Sequence, residues 1–305
     1  MKLGYTRPLY ILPFDHRESY MSGLFHYERP LSAEQQERVA DSKRVIYEGF
    51  LAALHQGVSK SKAGILVDEE FGAEILKAAR QDDELVALSV EQSGQELFHF
   101  AYGDAFAAHI EAFRPTFAKV LVRYNPATDG SGNEEQAARL KMLSEYCREH
   151  GPAFMFELLV PATQQQMADC GGDKRRYDAS VRPELMLRAI AELQDFGVEP
   201  DIWKIEGLDT RAHYEALVAQ ARRAGRDDVG CIVLGRGAEE DVVEHWLATA
   251  VDVPGMIGFA VGRTVFWDPI VQYEAGQWDR KRAAAEIATR YRRWVDLFEN
   301  PPRPA

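Results

Sequence analysis

The 305-residue sequence has few cysteines and no long apolar run. Its three cysteines, Cys147, Cys170 and Cys231, are far apart and form no CxxC pair. This pattern excludes a disulfide framework or a zinc knuckle and is typical of a reducing compartment. No stretch approaches the roughly 20 apolar residues of a membrane helix, and the apolar run near the N terminus is too short for a secretory signal. We therefore expect a cytoplasmic protein without a membrane partner.

Positive charge is also in short supply, since 36 Lys and Arg face 48 Asp and Glu for a net charge of -12. A non-specific nucleic-acid binder needs a basic face, so we expect no nucleic-acid partner. A local basic pocket for a small anion is compatible with this balance. The chain also lacks linkers rich in Pro, Gly or Ser, which favours a single domain over residues 1–305.

What the sequence does contain is a regular alternation of short apolar runs and longer amphipathic ones. Eight alternations predict parallel strands joined by crossover helices, which close into a (β/α)₈ TIM barrel. A doubly wound open sheet is the alternative, but no glycine-rich phosphate loop follows the first run. The predicted strands are 9–15, 63–68, 85–91, 117–124, 153–159, 201–206, 230–234 and 256–261.

Helices are predicted between these strands. Ser32 and Gln35 form a capping box that opens the first long one. An extra C-terminal helix at about 279–298 is expected to cover the barrel bottom, although docking of a partner subunit in a homo-oligomer is an alternative. The predicted helices are 32–55, 73–81, 104–113, 134–150, 183–196, 210–224, 239–250 and 279–298.

Polar and charged residues stand at the ends of nearly every predicted strand. Barrel strands are buried on both faces and should be apolar throughout, whereas active sites lie at the carboxyl ends of the strands. We therefore predict that these side chains bind substrate or carry the chemistry. The substrate-binding candidates are Asp15, Arg17, Asp68, Glu91, Arg123 and Glu206.

Alternation along the strands places Lys119, Glu157, Lys204 and Glu206 on candidate inward faces. Isolated buried charges are costly unless paired, so a structural ion-pair network is one interpretation. The other is catalysis, because desolvation and a neighbouring cation both favour the neutral, nucleophilic amine of a lysine. We predict Lys204 as a Schiff-base nucleophile, with apolar bulk from Trp203 and Ile205 and the cation from Lys119.

Two Gly-Arg pairs follow the last two strands. A barrel commonly binds phosphate after strands seven and eight, where glycines let backbone N–H groups approach an anion. We therefore predict phosphate binding at these turns, although simple helix-start turns with solvated arginines are the alternative. The residues are Gly235, Arg236, Gly237, Gly262 and Arg263.

Six segments resemble, in matching order, the class I aldolases of the tagatose-bisphosphate and sulfofructose-phosphate type. The resemblance is closest to an aldolase-like domain of unknown function that is often fused to the sugar kinase of inositol catabolism. It spans about residues 9–269. The segments are FDHR at 14–17, LVDEEFG at 66–72, KVLVRYNP at 119–126, FELLV at 156–160, DIWKIE at 201–206 and GFAVGR at 258–263.

The resemblance implies a Schiff base on Lys204, catalytic neighbours in Glu157 and Lys119, and hydroxyl binding by Asp15. It implies a phosphorylated keto sugar as the partner, no cofactor, and cleavage of 5-dehydro-2-deoxygluconate 6-phosphate to dihydroxyacetone phosphate and malonate semialdehyde. Arg123 departs from the tagatose-type pattern, which has an aromatic or apolar residue there. An inward Arg suits the carboxylate of malonate semialdehyde, which favours the inositol-pathway substrate over tagatose-bisphosphate or sulfofructose-phosphate.

Two other functions remain open at this stage. One is a metal-dependent enzyme in which oxygen ligands gather Mg²⁺, although we expect no metal. The other is a sugar-phosphate-binding barrel without turnover, which would need the phosphate arginines but not Lys119, Glu157 and Lys204 together. The oxygen ligands would come from Asp15, Asp68, Glu70, Glu91 and Glu157.

Overall fold

The computed structural model describes residues 2–128 and 130–301 and has the architecture of a (β/α)₈ barrel. Each of eight parallel strands pairs with the next along the chain, and the last returns to the first. The eight predicted strands are thus confirmed, with shifts of one or two residues at their ends. They are β1 (Leu9–Pro13), β2 (Ala63–Val67), β3 (Leu85–Ser89), β4 (Phe117–Arg123), β5 (Ala153–Leu159), β6 (Ile202–Glu206), β7 (Gly230–Leu234) and β8 (Met256–Ala260).

Helices cover the outside of the barrel, and short ones also lie within the connections after β1 and β5. The predicted capping box of Ser32 is present, and so is the C-terminal helix. The helices are α1 (Glu18–Tyr20), α2 (Ala33–His55), α3 (Glu69–Gln81), α4 (Phe106–Phe113), α5 (Gly130–His150), α6 (Gln164–Asp169), α7 (Lys174–Ser180), α8 (Arg182–Asp195), α9 (Arg211–Ala221), α10 (Glu240–Ala250), α11 (Arg263–Glu274) and α12 (Arg280–Glu299). None of the helices described is both long and apolar enough to cross a membrane.

The helices differ from the prediction in several places, since α1, α6 and α7 were not predicted and α5 begins at Gly130 rather than at 134. The third helix begins at Glu69 rather than at 73, because the Asp68 side chain caps it by accepting a hydrogen bond from the Phe71 N–H. Helix α11 was not predicted. It contains Pro269, which lacks the N–H that an interior helical position normally donates, so its local sequence signal is weak.

The strand side chains form two separate cores. A layer inside the barrel includes Ile11, Phe117 and Met155, whereas residues of the opposite strand faces, such as Trp203, pack in the larger core against the helices. Burial on both faces explains why the strands are nearly continuous apolar runs. The inner layer fills the lower barrel and leaves the carboxyl ends of the strands for charged side chains.

One ion pair between α2 and the end of β2 is completely buried. Lys43 Nζ contacts Asp68 Oδ2, and both side chains are 0% exposed. The Lys43 ammonium also donates to the carbonyl of His16 at 3.0 Å. The pair therefore ties the end of β2 to the segment that follows β1.

We predict that the Lys43→Met variant loses about 3–5 kcal/mol of unfolding free energy, because the Asp68 carboxylate is left buried without its cation. Lys77 pairs with Glu74 on the surface with more than half of each side chain exposed. The matched Lys77→Met change should cost less than about 1 kcal/mol. Urea denaturation of both variants measures the difference, and equal losses would contradict the prediction.

Candidate functional site

Strands β4, β5 and β6 bring three predicted catalytic residues together inside the barrel. Lys119, Glu157 and Lys204 each stand two residues beyond an apolar member of the inner layer, namely Phe117, Met155 and Ile202. Alternation therefore points the charged side chains to the barrel interior. Glu157 lies opposite Lys204 in the register of β5 and β6.

Lys119 is the centre of a lysine–carboxylate cluster. Its Nζ lies 2.8 Å from Asp15 Oδ2, 2.7 Å from Glu91 Oε1 and 2.9 Å from Glu157 Oε2. The side chain is 1% exposed. Three carboxylates, two that follow β1 and β3 and one within β5, thus surround one buried ammonium group, and Lys204 completes the cluster.

Glu157 connects the two lysines. Its Oε2 atom lies 2.7 Å from Lys204 Nζ, and the same oxygen contacts Lys119. A carboxylate in hydrogen-bond reach of a lysine can accept its proton and return it later. The geometry is therefore suited to both activation of the Lys204 amine and proton transfer to a group bound to it.

Burial and charge act in opposite directions on the pKa values of the cluster. For Lys119, burial alone would lower the pKa, but Asp15, Glu157 and Glu91 hold it well above its ordinary value. Burial would raise the pKa of Glu157, yet the two lysines lower it. The pKa of Asp15 is likewise lowered, chiefly by Lys119 against the effect of burial. Asp15 and Glu157 are therefore carboxylates, and Lys119 is a cation.

Glu91 differs from the other two carboxylates. Burial raises its pKa despite the nearby charges of Lys119 and Arg17. Its Oε2 atom is buried and has no hydrogen-bond partner within the described residues. Among the three carboxylates of the cluster, Glu91 is thus the one most easily protonated.

The surroundings of the Lys204 amine differ from the expected apolar ones. Trp203 and Ile205 face away from the barrel interior and pack in the core against the helices. Trp203 and Ile205 adjoin Lys204 in sequence, but alternation places their side chains on the opposite face of β6 from the Lys204 amine. The Lys204 side chain is 4% exposed, and its close polar contact is the Glu157 carboxylate.

The cluster lies at the wall of a cavity of about 340 Å³ at the carboxyl ends of the strands. Twelve of the predicted site residues line it, whereas Asp68 and Glu206 do not. Residues 92–98, after β3, form part of the wall and had no sequence signal as site residues. The twelve are Asp15, Arg17, Glu91, Lys119, Arg123, Glu157, Lys204, Gly235, Arg236, Gly237, Gly262 and Arg263.

Asp68 is not brought to the cavity. It caps α3 and pairs with Lys43, so its carboxylate is used within the protein. Glu70 pairs with Arg29 on the surface. Asp68 and Glu70 therefore do not join the other carboxylates considered as Mg²⁺ ligands, and Asp15, Glu91 and Glu157 surround the Lys119 ammonium instead. Across residues 2–128 and 130–301, no three or more His, Cys, Asp and Glu side chains are arranged to hold a metal ion.

Glu206 lies two residues beyond Lys204 but contacts arginines instead of the cavity. It is 2% exposed, and its Oε1 lies 2.8 Å from Arg236 Nε. Its Oε2 accepts from the Val160 N–H at 2.9 Å. Arg182, which is 1% exposed and lies 3.7 Å from Glu206, had not been predicted, because a buried arginine within an amphipathic helix has no local signature.

The two Gly-Arg turns meet at one end of the cavity. Arg263 is the first residue of α11, so the N terminus of this helix faces the same end. A helix N terminus and glycine-rich turns both favour anions. Arg263 is exposed and contacts Ser19 Oγ at 3.3 Å, whereas Arg236 is held by Glu206 and Asp178.

Two further arginines line the cavity beside the loop after β3. Arg17 is 8% exposed and donates to the carbonyl of Glu91 at 2.6 Å, while its Nε is buried without a partner in the described part of the chain. Arg123 is exposed and donates to the carbonyl of Gln95 at 2.9 Å. The cavity therefore has cationic groups beyond those of the Gly-Arg turns.

His16 also lines the cavity, next to Asp15. Burial lowers its pKa to about 4, with a further contribution from Arg263 that opposes the effect of Asp15. The imidazole is therefore neutral at neutral pH, and its Nδ1 atom is buried without a partner in residues 2–128 and 130–301.

Several solved structures are similar in fold. A Corynebacterium glutamicum protein has a TM-score of 0.57 and 16% identity, covering 96% of this chain and 88% of its own. A fructose-bisphosphate aldolase from Slackia heliotrinireducens has a TM-score of 0.56 and 13% identity, with coverage of 98% and 87%. The YdjI aldolase of Escherichia coli K12 has a TM-score of 0.51 and 12% identity, with coverage of 88% and 96%. At such low sequence identity, the structural similarity shows a common fold and nothing further.

Comparison with family models matches residues 4–301 to the family described as "Uncharacterized protein conserved in bacteria (DUF2090)". No curated protein matches the chain. The match covers nearly all of the described residues, and its description names no reaction.

His16 gives a measurable pH dependence. Its folded pKa of about 4 lies below the ordinary 6.5, so between these values the unfolded chain binds a proton that the folded chain does not. Acidification from pH 6.5 toward 4 therefore favours unfolding. We expect the His16→Gln variant to lose less stability over this range than the wild type, as measured by urea denaturation at a series of pH values.

The control for this prediction is His245→Gln, at an exposed histidine on α10. This change should leave the pH dependence of the wild type almost unaltered. The same dependence in wild type and His16→Gln would show that His16 does not contribute.

Proposed function

We propose that this chain, which belongs to the DUF2090 family, is a class I aldolase that forms a Schiff base through Lys204. The observation that carries the proposal is the position of the Lys204 amine, 2.7 Å from the Glu157 carboxylate at the wall of the cavity. Two of the solved structures with a similar fold are named aldolases, which supports the same class of reaction.

In the proposed reaction, the Lys204 amine attacks the substrate ketone after giving a proton to Glu157. The carbinolamine then loses water, with a proton returned by Glu157, and an iminium forms. The β-hydroxyl gives up its proton, and the bond between the α and β carbons breaks. Its electron pair moves into the iminium to form an enamine, and an aldehyde leaves. Protonation of the α carbon and hydrolysis release the ketone product and Lys204.

Lys119 and Asp15 keep the charges of this site in place. The Lys119 ammonium contacts the same Glu157 oxygen as Lys204 and therefore favours the proton-accepting carboxylate form. Asp15, a carboxylate at the cavity wall, accepts hydrogen bonds from substrate hydroxyls. Glu91, whose pKa is raised by burial, is a second group that exchanges protons near the reacting hydroxyl.

The substrate in this proposal is a keto sugar phosphate whose phosphate lies at the two Gly-Arg turns. The cationic group of Arg123, at the end of β4 and across the barrel from β8, then faces the opposite part of the substrate, where a carboxylate is the complementary group. This favours 5-dehydro-2-deoxygluconate 6-phosphate, whose cleavage gives dihydroxyacetone phosphate and malonate semialdehyde. Tagatose-bisphosphate and sulfofructose-phosphate lack this carboxylate.

Borohydride reduction with dihydroxyacetone phosphate tests the Schiff base. We expect covalent labelling of the peptide that contains Lys204, detected by mass mapping, because the reduced iminium becomes a stable amine. Labelling should persist in EDTA, since no step uses a metal. The Lys204→Met variant should lose turnover and labelling while its thermal midpoint stays near that of the wild type, because Glu157 keeps Lys119 as its cation and methionine replaces most of the lost bulk.

Lys141 is the matched control, since it lies on the exposed face of α5. Lys141→Met should keep both labelling and turnover. Labelling of a peptide other than the one with Lys204 would refute the assignment, and loss of turnover in EDTA would favour a metal-dependent reaction.

Arg123→Ala tests the acid substrate. We expect the apparent affinity for 5-dehydro-2-deoxygluconate 6-phosphate to fall about tenfold or more, because a charge-assisted hydrogen bond to its carboxylate is worth about 1.5–3 kcal/mol. Labelling by dihydroxyacetone phosphate, which has no carboxylate, should be unchanged. Steady-state kinetics measure the first effect, and an unchanged affinity for the acid would contradict the substrate assignment.

A further inference from the structure

Four charged side chains beside the cavity form a closed ion-pair ring of Asp178, Arg182, Glu206 and Arg236. Arg236 NH1 and Arg182 Nε lie 2.8 and 3.0 Å from the same Asp178 oxygen. Arg236 Nε lies 2.8 Å from Glu206 Oε1, and Arg182 NH1 closes the ring at 3.7 Å from Glu206 Oε2. Positive and negative groups alternate around the ring, so the charges balance.

The ring joins parts of the chain that are far apart in sequence. Asp178 is on α7 and Arg182 is on α8, both after β5, whereas Glu206 ends β6 and Arg236 follows β7. Arg182 also donates to the carbonyl of Gly207 at 3.0 Å. The turn after β7 is therefore held by Glu206 at the end of β6 and by Asp178 on α7, which follows β5.

The backbone at Arg236 needs such support. Its φ of 53° lies in the left-handed region, which costs a residue with a side chain free energy, and Gly237 follows with a φ of 67°. Two of the three guanidinium nitrogens of Arg236 contact carboxylates. The side chain thus holds its own backbone in an unfavourable conformation through two ion pairs.

We propose that Glu206 and Asp178 are positioning residues that act through Arg236. They hold residues 235–237 in the shape that presents the backbone N–H groups of Arg236 and Gly237 to the substrate phosphate, while the Gly235 N–H donates to the Ala260 carbonyl at 3.3 Å. Arg263 supplies the uncompensated positive charge. In this arrangement the Arg236 guanidinium supports the turn and does not serve as the phosphate cation. The inference rests on the phosphate end of the proposed function and is independent of the Schiff base.

Binding of inorganic phosphate, measured by calorimetry on the full chain, separates these roles. Arg236→Lys keeps the charge but lacks the fork that contacts two carboxylates at once. We expect it to weaken phosphate binding roughly tenfold, about as much as Arg236→Met, because a misplaced turn loses its oriented donors. Arg263→Lys should stay within about threefold of wild type and Arg263→Met should not, because charge is the property required there.

Glu206→Gln should also weaken phosphate binding about tenfold, and it should add nothing further in a variant that already has Arg236→Met, since both changes act on one turn. Added to Arg263→Met, the same change should lower the affinity further. The control is Glu199→Gln, which removes the carboxylate of another partly buried Glu–Arg pair, with Arg226 at 2.6 Å, before β6. Its phosphate affinity should equal that of the wild type.

A kinetic comparison gives a readout that mere destabilisation does not move. At saturating dihydroxyacetone phosphate, borohydride labelling of Lys204 in Glu206→Gln should reach the wild-type rate, with only the half-saturating concentration raised. Full affinity for phosphate in Arg236→Lys would overturn the inference, as would independent effects of Glu206→Gln and Arg236→Met, or no saturable phosphate binding by the wild type. The expected phosphate affinities of the variants without any labelling of Lys204 would instead refute the aldolase proposal and leave the ring's role supported.

Discussion

The contact of one buried ammonium group with three carboxylates determines the arrangement of the site. Lys119 is almost completely buried, and such a charge is tolerated only when it is paired. Asp15 and Glu91, which follow β1 and β3, and Glu157, which lies within β5, meet this requirement. The closed barrel brings the three strands that carry or precede these carboxylates around one axis. The geometry of the site therefore follows from the closure of the sheet.

Much of the fold could be predicted from sequence because the relevant signals are local. Apolar runs, a capping box and their alternation define the strands and most helices without long-range information. The inward faces of Lys119, Glu157 and Lys204 also followed from alternation alone. Helix α11 was missed because Pro269 weakens its pattern.

The pairing of side chains was harder to predict, because partners come from distant parts of the chain. Asp68 and Glu206 stand at strand ends like the cavity residues, yet their carboxylates are used by Lys43 and by the ion-pair ring. Nothing next to either residue in sequence reveals this. Strand-end position therefore identifies candidates, whereas the contacts of each carboxylate decide whether it faces a ligand.

The contact of both lysines with one Glu157 oxygen has a consequence for the chemistry proposed. An ammonium and an iminium carry the same formal charge, so covalent attachment of a ketone leaves Glu157 facing the same number of positive groups as before. In the proposed reaction the protein would then need little rearrangement of its dipoles between the free lysine and the covalent adduct. Electrostatic reorganisation, often a large part of a reaction barrier, would therefore be small.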